Sequence, residues 1–265
     1  MYKESGACPK NCPSFTDSKR KENMQERLDG RKNTELRQIK ITRKYISHAD
    51  GSVFIEMGNT RIVCTATFED KVPPFLRGKG KGWITAEYDM IPGSSPQRII
   101  RPQATGRING RTHEIQRLIG RSLRSAVDLN KIGERTIWLD CDVIEADGGT
   151  RTASITGSFI ALFDCLQGMI DKGLIEEMPV ESFVAAISIG IVNGDIMVDL
   201  CFGEDSKADV DMNVVANSKD NLIEVQSTAE GAPFSKEEFD EMLEKAMAAI
   251  SELIDMQKKI LSQKP

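Results

Sequence analysis

The run Asp147-Gly148-Gly149-Thr150-Arg151-Thr152 constrains this chain more than any other stretch, because it sits where a strand pattern gives way to a helix pattern. Before it, Ile137, Leu139, Cys141 and Val143 alternate with Trp138, Asp140, Asp142 and Ile144, the period of a largely buried strand. After it, Ile155, Phe159, Leu162, Phe163 and Leu166 recur at helical spacing. Two glycines let the backbone turn sharply and come close to a ligand. The helix that follows presents unpaired N–H groups and the positive end of its dipole. Thr150 adds a hydroxyl, and Arg151 a planar cation suited to oxyanions. Such a junction can hold a small anion such as phosphate. The plainer reading is a glycine turn with a solvated arginine.

At 265 residues the chain can build a large core in one or two domains. Its apolar share of 40% and charged share of 28% are those of an ordinary soluble globular protein. The longest apolar stretch, Phe183 to Val192, is interrupted by Ser188 and Gly190 and is too short to cross a bilayer. The N-terminus lacks the apolar core of a signal peptide. A cytoplasmic protein with no membrane partner is therefore expected. Cys64, Cys141, Cys165 and Cys201 fall in apolar-periodic segments and read as small buried hydrophobes. Cys8 and Cys12 have no second pair to complete a zinc site.

The net charge of −5 conceals an asymmetry. Arginines 98, 101, 107, 111, 117, 121 and 124 face a single carboxylate, Glu114, over the same span. Asp199, Glu204, Asp205, Asp209 and Asp211 then surround one Lys207. A basic and an acidic block in one chain suit an anionic polymer together with a metal ion. Arginine, the better phosphate fork, favours binding over a merely solvated basic face.

Residues 1–23 lack an apolar period and are expected to form a disordered leader. Val53, Ile55 and Met57 with Ile62, Cys64 and Ala66 flank Gly58-Asn59 and predict a hairpin. Thr112 to Val127 predicts an amphipathic helix with arginines along one side. Phe183–Val192, the turn Asn193-Gly194 and Ile196–Phe202 predict a second hairpin. Leu222 to Val225 reads as another strand, and Phe239 to Ile254 as a closing helix. Both halves run strands first and helix last. The expected class is α+β, a duplicated βα architecture with mixed or antiparallel sheets packed by helices, divided at 24–172 and 173–265.

Asp209-Val210-Asp211-Met212-Asn213 opens like a calcium loop, but Val214 stands where that loop needs glycine. Its period of two points instead to a strand with polar residues on one face. Asp205 lies just before it. Two carboxylates held close repel unless a cation sits between them, and Mg²⁺ needs only one or two. A solvated acidic turn is the equal alternative on this segment alone.

With these residues in view, the chain resembles the ribonuclease PH family of phosphate-dependent 3′-end exoribonucleases. The resemblance rests on Asp29-Gly30-Arg31, Ala49-Asp50-Gly51-Ser52, Val72 to Gly78, Gly82 to Tyr88, Gly110 to Arg121, Asp147 to Ser154, Glu204-Asp205-Ser206 with Asp211-Met212-Asn213, and Glu224 to Gly231. It runs from about residue 25 almost to the end. It implies a phosphate site at Arg111, Gly149, Thr150 and Arg151. It implies a catalytic acidic pair, Asp205 and Asp211, that also binds Mg²⁺ (or Mn²⁺), without separating metal binding by Asp211 from protonation of the leaving oxygen. Arg98 and Arg101 match the loop that grips tRNA. The implied activity is trimming of 3′ extensions on tRNA precursors and other RNA 3′ ends. Inorganic phosphate is the co-substrate, nucleoside diphosphates are released, and addition is the reverse reaction. The implied assembly is a homohexamer, a ring of three dimers, with the fold of the polynucleotide phosphorylase and exosome core.

Gly93 stands where the family usually has arginine, and Arg101-Pro102 replaces Arg-Glu, which bears on the tRNA grip. Phe75 and Tyr88 are the loop aromatics available for base stacking. Two competing readings remain. One is a catalytically silent RNA-binding ring subunit. The other is a small-molecule kinase, which lacks a phosphate-loop lysine followed by Ser or Thr.

Overall fold

The computed structural model describes residues 27–101, 106 and 109–263. The expected disordered leader at 1–23, Cys8, Cys12, Pro102 and Arg107 lie outside them. Five strands form the first sheet: β1 (Ile39–Arg43), β2 (Gly51–Met57), β3 (Thr60–Glu69), β4 (Trp83–Met90) and β5 (Thr136–Glu145). Their order is β1-β2-β3-β5-β4, antiparallel except for the parallel pair β4 and β5. That parallel pair requires a crossover, supplied by α1 (Gly110–Arg124), which packs on β4. The second sheet is antiparallel, in the order β7-β6-β8-β9. Its strands are β6 (Val184–Val192), β7 (Asp195–Val198), β8 (Val210–Asn217) and β9 (Leu222–Ala229).

Between the sheets runs α2 (Thr150–Asp171), which touches β2 and β3 on one side and β6 on the other. Its 22 residues are long and apolar enough to cross a bilayer, a property the sequence reading did not register. Here that apolarity is spent on two protein faces, with Ile155, Phe159, Leu162 and Leu166 fully buried. A short helix α3 (Phe202–Asp205) joins β7 to β8. The closing helix α4 (Lys236–Ser262) covers β6 and β8. Ser235 and Glu238 form the capping box that starts it.

The strand periods hold in the packing. Ile137, Leu139, Cys141 and Val143 are buried, and Trp138 and Ile144 lie on the outer face. The Gly58-Asn59 hairpin pairs Met57 with Thr60. Several expected boundaries move. The helix expected from Thr112 starts at Gly110, where Asn109 Oδ1 accepts the Arg111 N–H, and ends at Arg124. Ala126 and Val127 lie beyond it yet remain buried. The strand expected to reach Phe202 stops at Val198, because Asp199 turns the chain at φ 55° and Phe202 opens α3. The strand expected over Leu222–Val225 continues to Ala229.

A buried ion pair ties the two sheets. Arg37, just before β1, donates from Nη2 to Asp199 Oδ1 at 2.7 Å and from Nε to Oδ2 at 3.1 Å. Its Nη1 reaches the Asp147 carbonyl at 2.5 Å. Asp199 is fully buried, and the next cation, Arg31, is 3.9 Å away. Arg37→Met should therefore cost on the order of 3 kcal/mol in denaturant unfolding, by stranding the carboxylate. Arg37→Met with Asp199→Leu should recover at least half of that loss. A double variant no more stable than Arg37→Met would show that backbone anchoring, not charge pairing, sets the cost.

Candidate active site

The turn between β5 and α2 is forced into its shape by close approach. Gly148 and Gly149 have φ of 76° and 64°. A Cβ on Gly148 would stand 2.4 Å from the Leu200 carbonyl oxygen and 2.9 Å from the Phe202 nitrogen, so only glycine fits. Thr60 Oγ1 accepts the Asp147 N–H at 3.0 Å and donates to the Gly148 carbonyl at 2.7 Å. Asp147 Oδ1 accepts the Phe202 N–H at 3.1 Å. The glycine turn and the start of α3 are thus held as one unit, and α3 ends in Asp205.

The N-cap of α2 is Gly149, which has no side chain to satisfy the first helical N–H groups. Those donors and the helix dipole are left for a ligand. Thr150 is buried, and its Oγ1 accepts a hydrogen bond from Tyr88 at 2.9 Å. Burial raises the Tyr88 pKa, so the phenol is a donor, and the Thr150 hydroxyl hydrogen is free to point at an anion. Arg151 is aimed by Gln226 on β9, whose Oε1 accepts from Nη1 at 2.6 Å, and by Glu114 on α1 at 3.2 Å.

Arg111, Gly149, Thr150, Arg151, Asp205 and Asp211 all line one cleft of about 360 Å³. The first four come from the starts of α1 and α2, and the acidic pair from α3 and β8. Asn213 Nδ2 donates to Asp211 Oδ2 at 3.2 Å. Burial, and then the Asp205 carboxylate, push the Asp211 carboxyl up to about 6, against the pull of Arg151. Asp205 keeps solvent access, but the surrounding walls raise its pKa while Arg111 and Arg151 lower it. A divalent cation would relieve this strain. Among the described residues no group of three or more His, Cys, Asp or Glu comes together. A pair of carboxylates suits Mg²⁺, which keeps waters and substrate oxygens in its remaining positions.

Both charge blocks read from the sequence are divided by the fold. Asp199 is committed to Arg37, and Glu204 to Arg27, with Nη2 to Oε2 at 2.6 Å. Asp209 is exposed and does not line the cleft. Arg124 packs 4.3 Å over Trp83 and donates to the Ile84 carbonyl, and Arg121 pairs with Glu224 at 3.2 Å. Arg124, expected on a basic face, is thus packed into the fold, whereas Arg121 stays exposed. Arg98 and Arg101 are exposed on the loop that follows Ser95 and Pro96 at the cleft edge. Tyr88, expected on a loop, is buried in β4 and supports Thr150, whereas Phe75 is exposed and packs edge-on against Trp83. Cys201, expected in the core, is only half-buried, at the cap of α3.

Sequence reasoning missed Tyr88 as a support, the Arg37–Asp199 tie, and Ser188, which also lines the cleft. The signal for Ser188 was visible as an interruption of an otherwise apolar strand.

The repulsion has a sign that can be measured. The folded state holds the Asp211 proton up to about pH 6, against an ordinary carboxyl value of 3.8. Without divalent cation, this group's contribution to stability is fullest below 3.8, falls as pH rises, and is a net penalty above about 6. Asp211→Asn should therefore raise the Tm of metal-free protein at pH 7.5 by a few degrees, on the order of 2 kcal/mol. The gain should vanish near pH 4. An equal gain at both pH values would exclude the charge as its source.

The sequence and the fold both have known relatives. Residues 35–166 match the model of domain 1 of the 3′ exoribonuclease family, and residues 182–249 match domain 2. The chain is 55% identical over 235 residues to Ribonuclease PH of Moorella thermoacetica, covering 89% of this chain and 94% of that protein. The fold is shared with a structure of the Archaeoglobus fulgidus exosome with RNA bound to the active site. There the TM-score is 0.75 at 24% identity, over 87% of this chain and 92% of that one. It is shared too with an archaeal exosome core, with a TM-score of 0.70 at 22% identity, over 88% and 91% of the two chains. By both domains and by the identity to a full-length relative, the chain belongs to the 3′ exoribonuclease family of the ribonuclease PH type.

Proposed function

We propose that the chain is a phosphorolytic 3′-5′ exoribonuclease that trims 3′ extensions of tRNA precursors and works on other RNA 3′ ends. The observation that carries this reading is one cleft lined by both Thr150 with Arg151 and Asp205 with Asp211. A silent RNA-binding subunit would need neither set. The name carried by the Moorella relative supports the same conclusion.

In this reading inorganic phosphate takes the place that water has in a hydrolase. The start of α2, Thr150, Arg151 and Arg111 hold it and fix its direction. Orientation matters because phosphate and RNA repel each other in water. A phosphate oxygen forms a bond to the phosphorus of the last linkage, and the bond from that phosphorus to the preceding 3′-oxygen breaks. The departing 3′-oxygen takes up a proton, and the terminal residue leaves as a nucleoside diphosphate. One phosphate linkage replaces another, so addition from nucleoside diphosphates is the reverse reaction. Mg²⁺ (or Mn²⁺) held by Asp205 and Asp211 would supply positive charge beside the scissile phosphate. Arg98 and Arg101 would hold the RNA body through its backbone. Assembly as a homohexamer of three dimers is part of the same proposal.

A short RNA with a single-stranded 3′ tail, incubated with Mg²⁺, tests the chemistry. Nucleoside diphosphates should appear only when inorganic phosphate is present. Monophosphates released without phosphate would make the protein a hydrolase and remove this reading of the cradle. Asp211→Asn should abolish turnover, by at least a thousandfold on the scale of lost electrostatic stabilisation, while RNA affinity changes less than threefold. Equal loss of turnover and affinity would instead make Asp211 part of the RNA grip.

A further inference from the structure

Strand β6 reads Val-Ala-Ala-Ile-Ser-Ile-Gly-Ile-Val and is buried along its whole length. Its two departures from apolar character, Ser188 and Gly190, are two residues apart and so share a face. Ser188 is 3% exposed and lines the cleft. Its Oγ has no hydrogen-bond partner among the described residues. A buried hydroxyl without a partner is costly, and the site of that cost calls for an explanation. Nothing on the second sheet supplies one. Asn213 lies directly across from Ser188 in the β6–β8 register, but its amide is turned to Asp211. Gln226, the next residue in the row on β9, is occupied by Arg151.

The orphan hydroxyl has a definite neighbour. Ser188 Oγ lies 3.6 Å from the point where a Cβ on Gly149 would stand, so it sits over the residue that caps α2. We infer that Ser188 is an additional ligand of the cradled oxyanion, donating its hydroxyl hydrogen to a phosphate oxygen from the second sheet while Thr150 donates from the first half. This inference rests on the reading of the cleft as an inorganic phosphate site, and deepens it. A hydroxyl is a weak competitor for water but a strong donor to a charged oxygen in a dry cleft. The cradle then draws donors from both halves of the chain, and the anion itself bridges the two sheets.

The test uses full-length Ser188→Ala, tailed RNA, Mg²⁺ and inorganic phosphate. The KM for phosphate should rise roughly ten- to hundredfold, the worth of one hydrogen bond to a charged acceptor. The KM for RNA should stay within twofold, and kcat at saturating phosphate within about threefold. A merely structural role for Ser188 would instead lower the Tm in the absence of phosphate. Without phosphate, the Tm of Ser188→Ala should equal or exceed that of the wild type, because an unpaired buried hydroxyl has been removed. The rise in Tm produced by added inorganic phosphate should shrink. An unchanged KM for phosphate, or a lower Tm in its absence, would overturn the inference while leaving the phosphorolytic reading intact. A wild-type protein whose turnover ignores phosphate would remove both.

Discussion

Gly148 lets two distant stretches of backbone touch, and the placement of the cleft follows from that contact. Its missing Cβ leaves room for the Leu200 carbonyl and the Phe202 nitrogen, both closer than any side chain would allow. Asp147 then satisfies the Phe202 N–H, and Arg37 ties the Asp147 carbonyl to Asp199. A buried pair such as Arg37 with Asp199 is weak evidence of stabilisation, since desolvation offsets most of its attraction. What it supplies here is position. It fixes the end of β7 against the turn after β5, and so puts an uncapped helix start and an acidic pair around one space.

Charge in that space is arranged to be incomplete rather than simply positive. Arg111 and Arg151 face Asp205 and Asp211, and Glu114 already touches Arg151. An incoming oxyanion meets a cation whose direction is set by Gln226 and whose charge is only partly answered by an exposed glutamate. Exposed pairs of that kind are held by little, so displacing Glu114 costs little. The carboxylate pair is different. Asp211 sits on a partly buried strand, where burial and then the Asp205 carboxylate both disfavour its charge. The cleft therefore favours occupants that bring a negative group for the arginines and a positive one for the acids.

The local parts of this site were legible because they depend on spacing along the chain. The strand before Asp147, the helix after Thr150 and the alternation around Asp211 all follow from a period of two or of 3.6. What was not legible depends on which distant residues meet. Asp199, Glu204, Asp205 and Asp211 look alike in sequence, yet two are committed to buried arginines and two line the cleft. Arg124 reads as one more basic residue until Trp83 is placed beneath it. Tyr88 follows Ile84 and Ala86 at a period of two, but its place beside Thr150 depends on the parallel pairing with β5. Pairing partners across more than a hundred residues leave no periodic mark.

The contacts that tie the two sheets beside the cleft are long-range ones. Arg37 to Asp199 spans 162 residues and Arg27 to Glu204 spans 177, whereas the hairpins of both sheets join neighbours. Closing so large a loop carries an entropy cost that local pairings do not meet. Each sheet can therefore reach most of its own hydrogen bonding before the two are locked together. Because residues of both halves line the cleft, catalytic competence on this topology depends on the seam between the sheets staying closed.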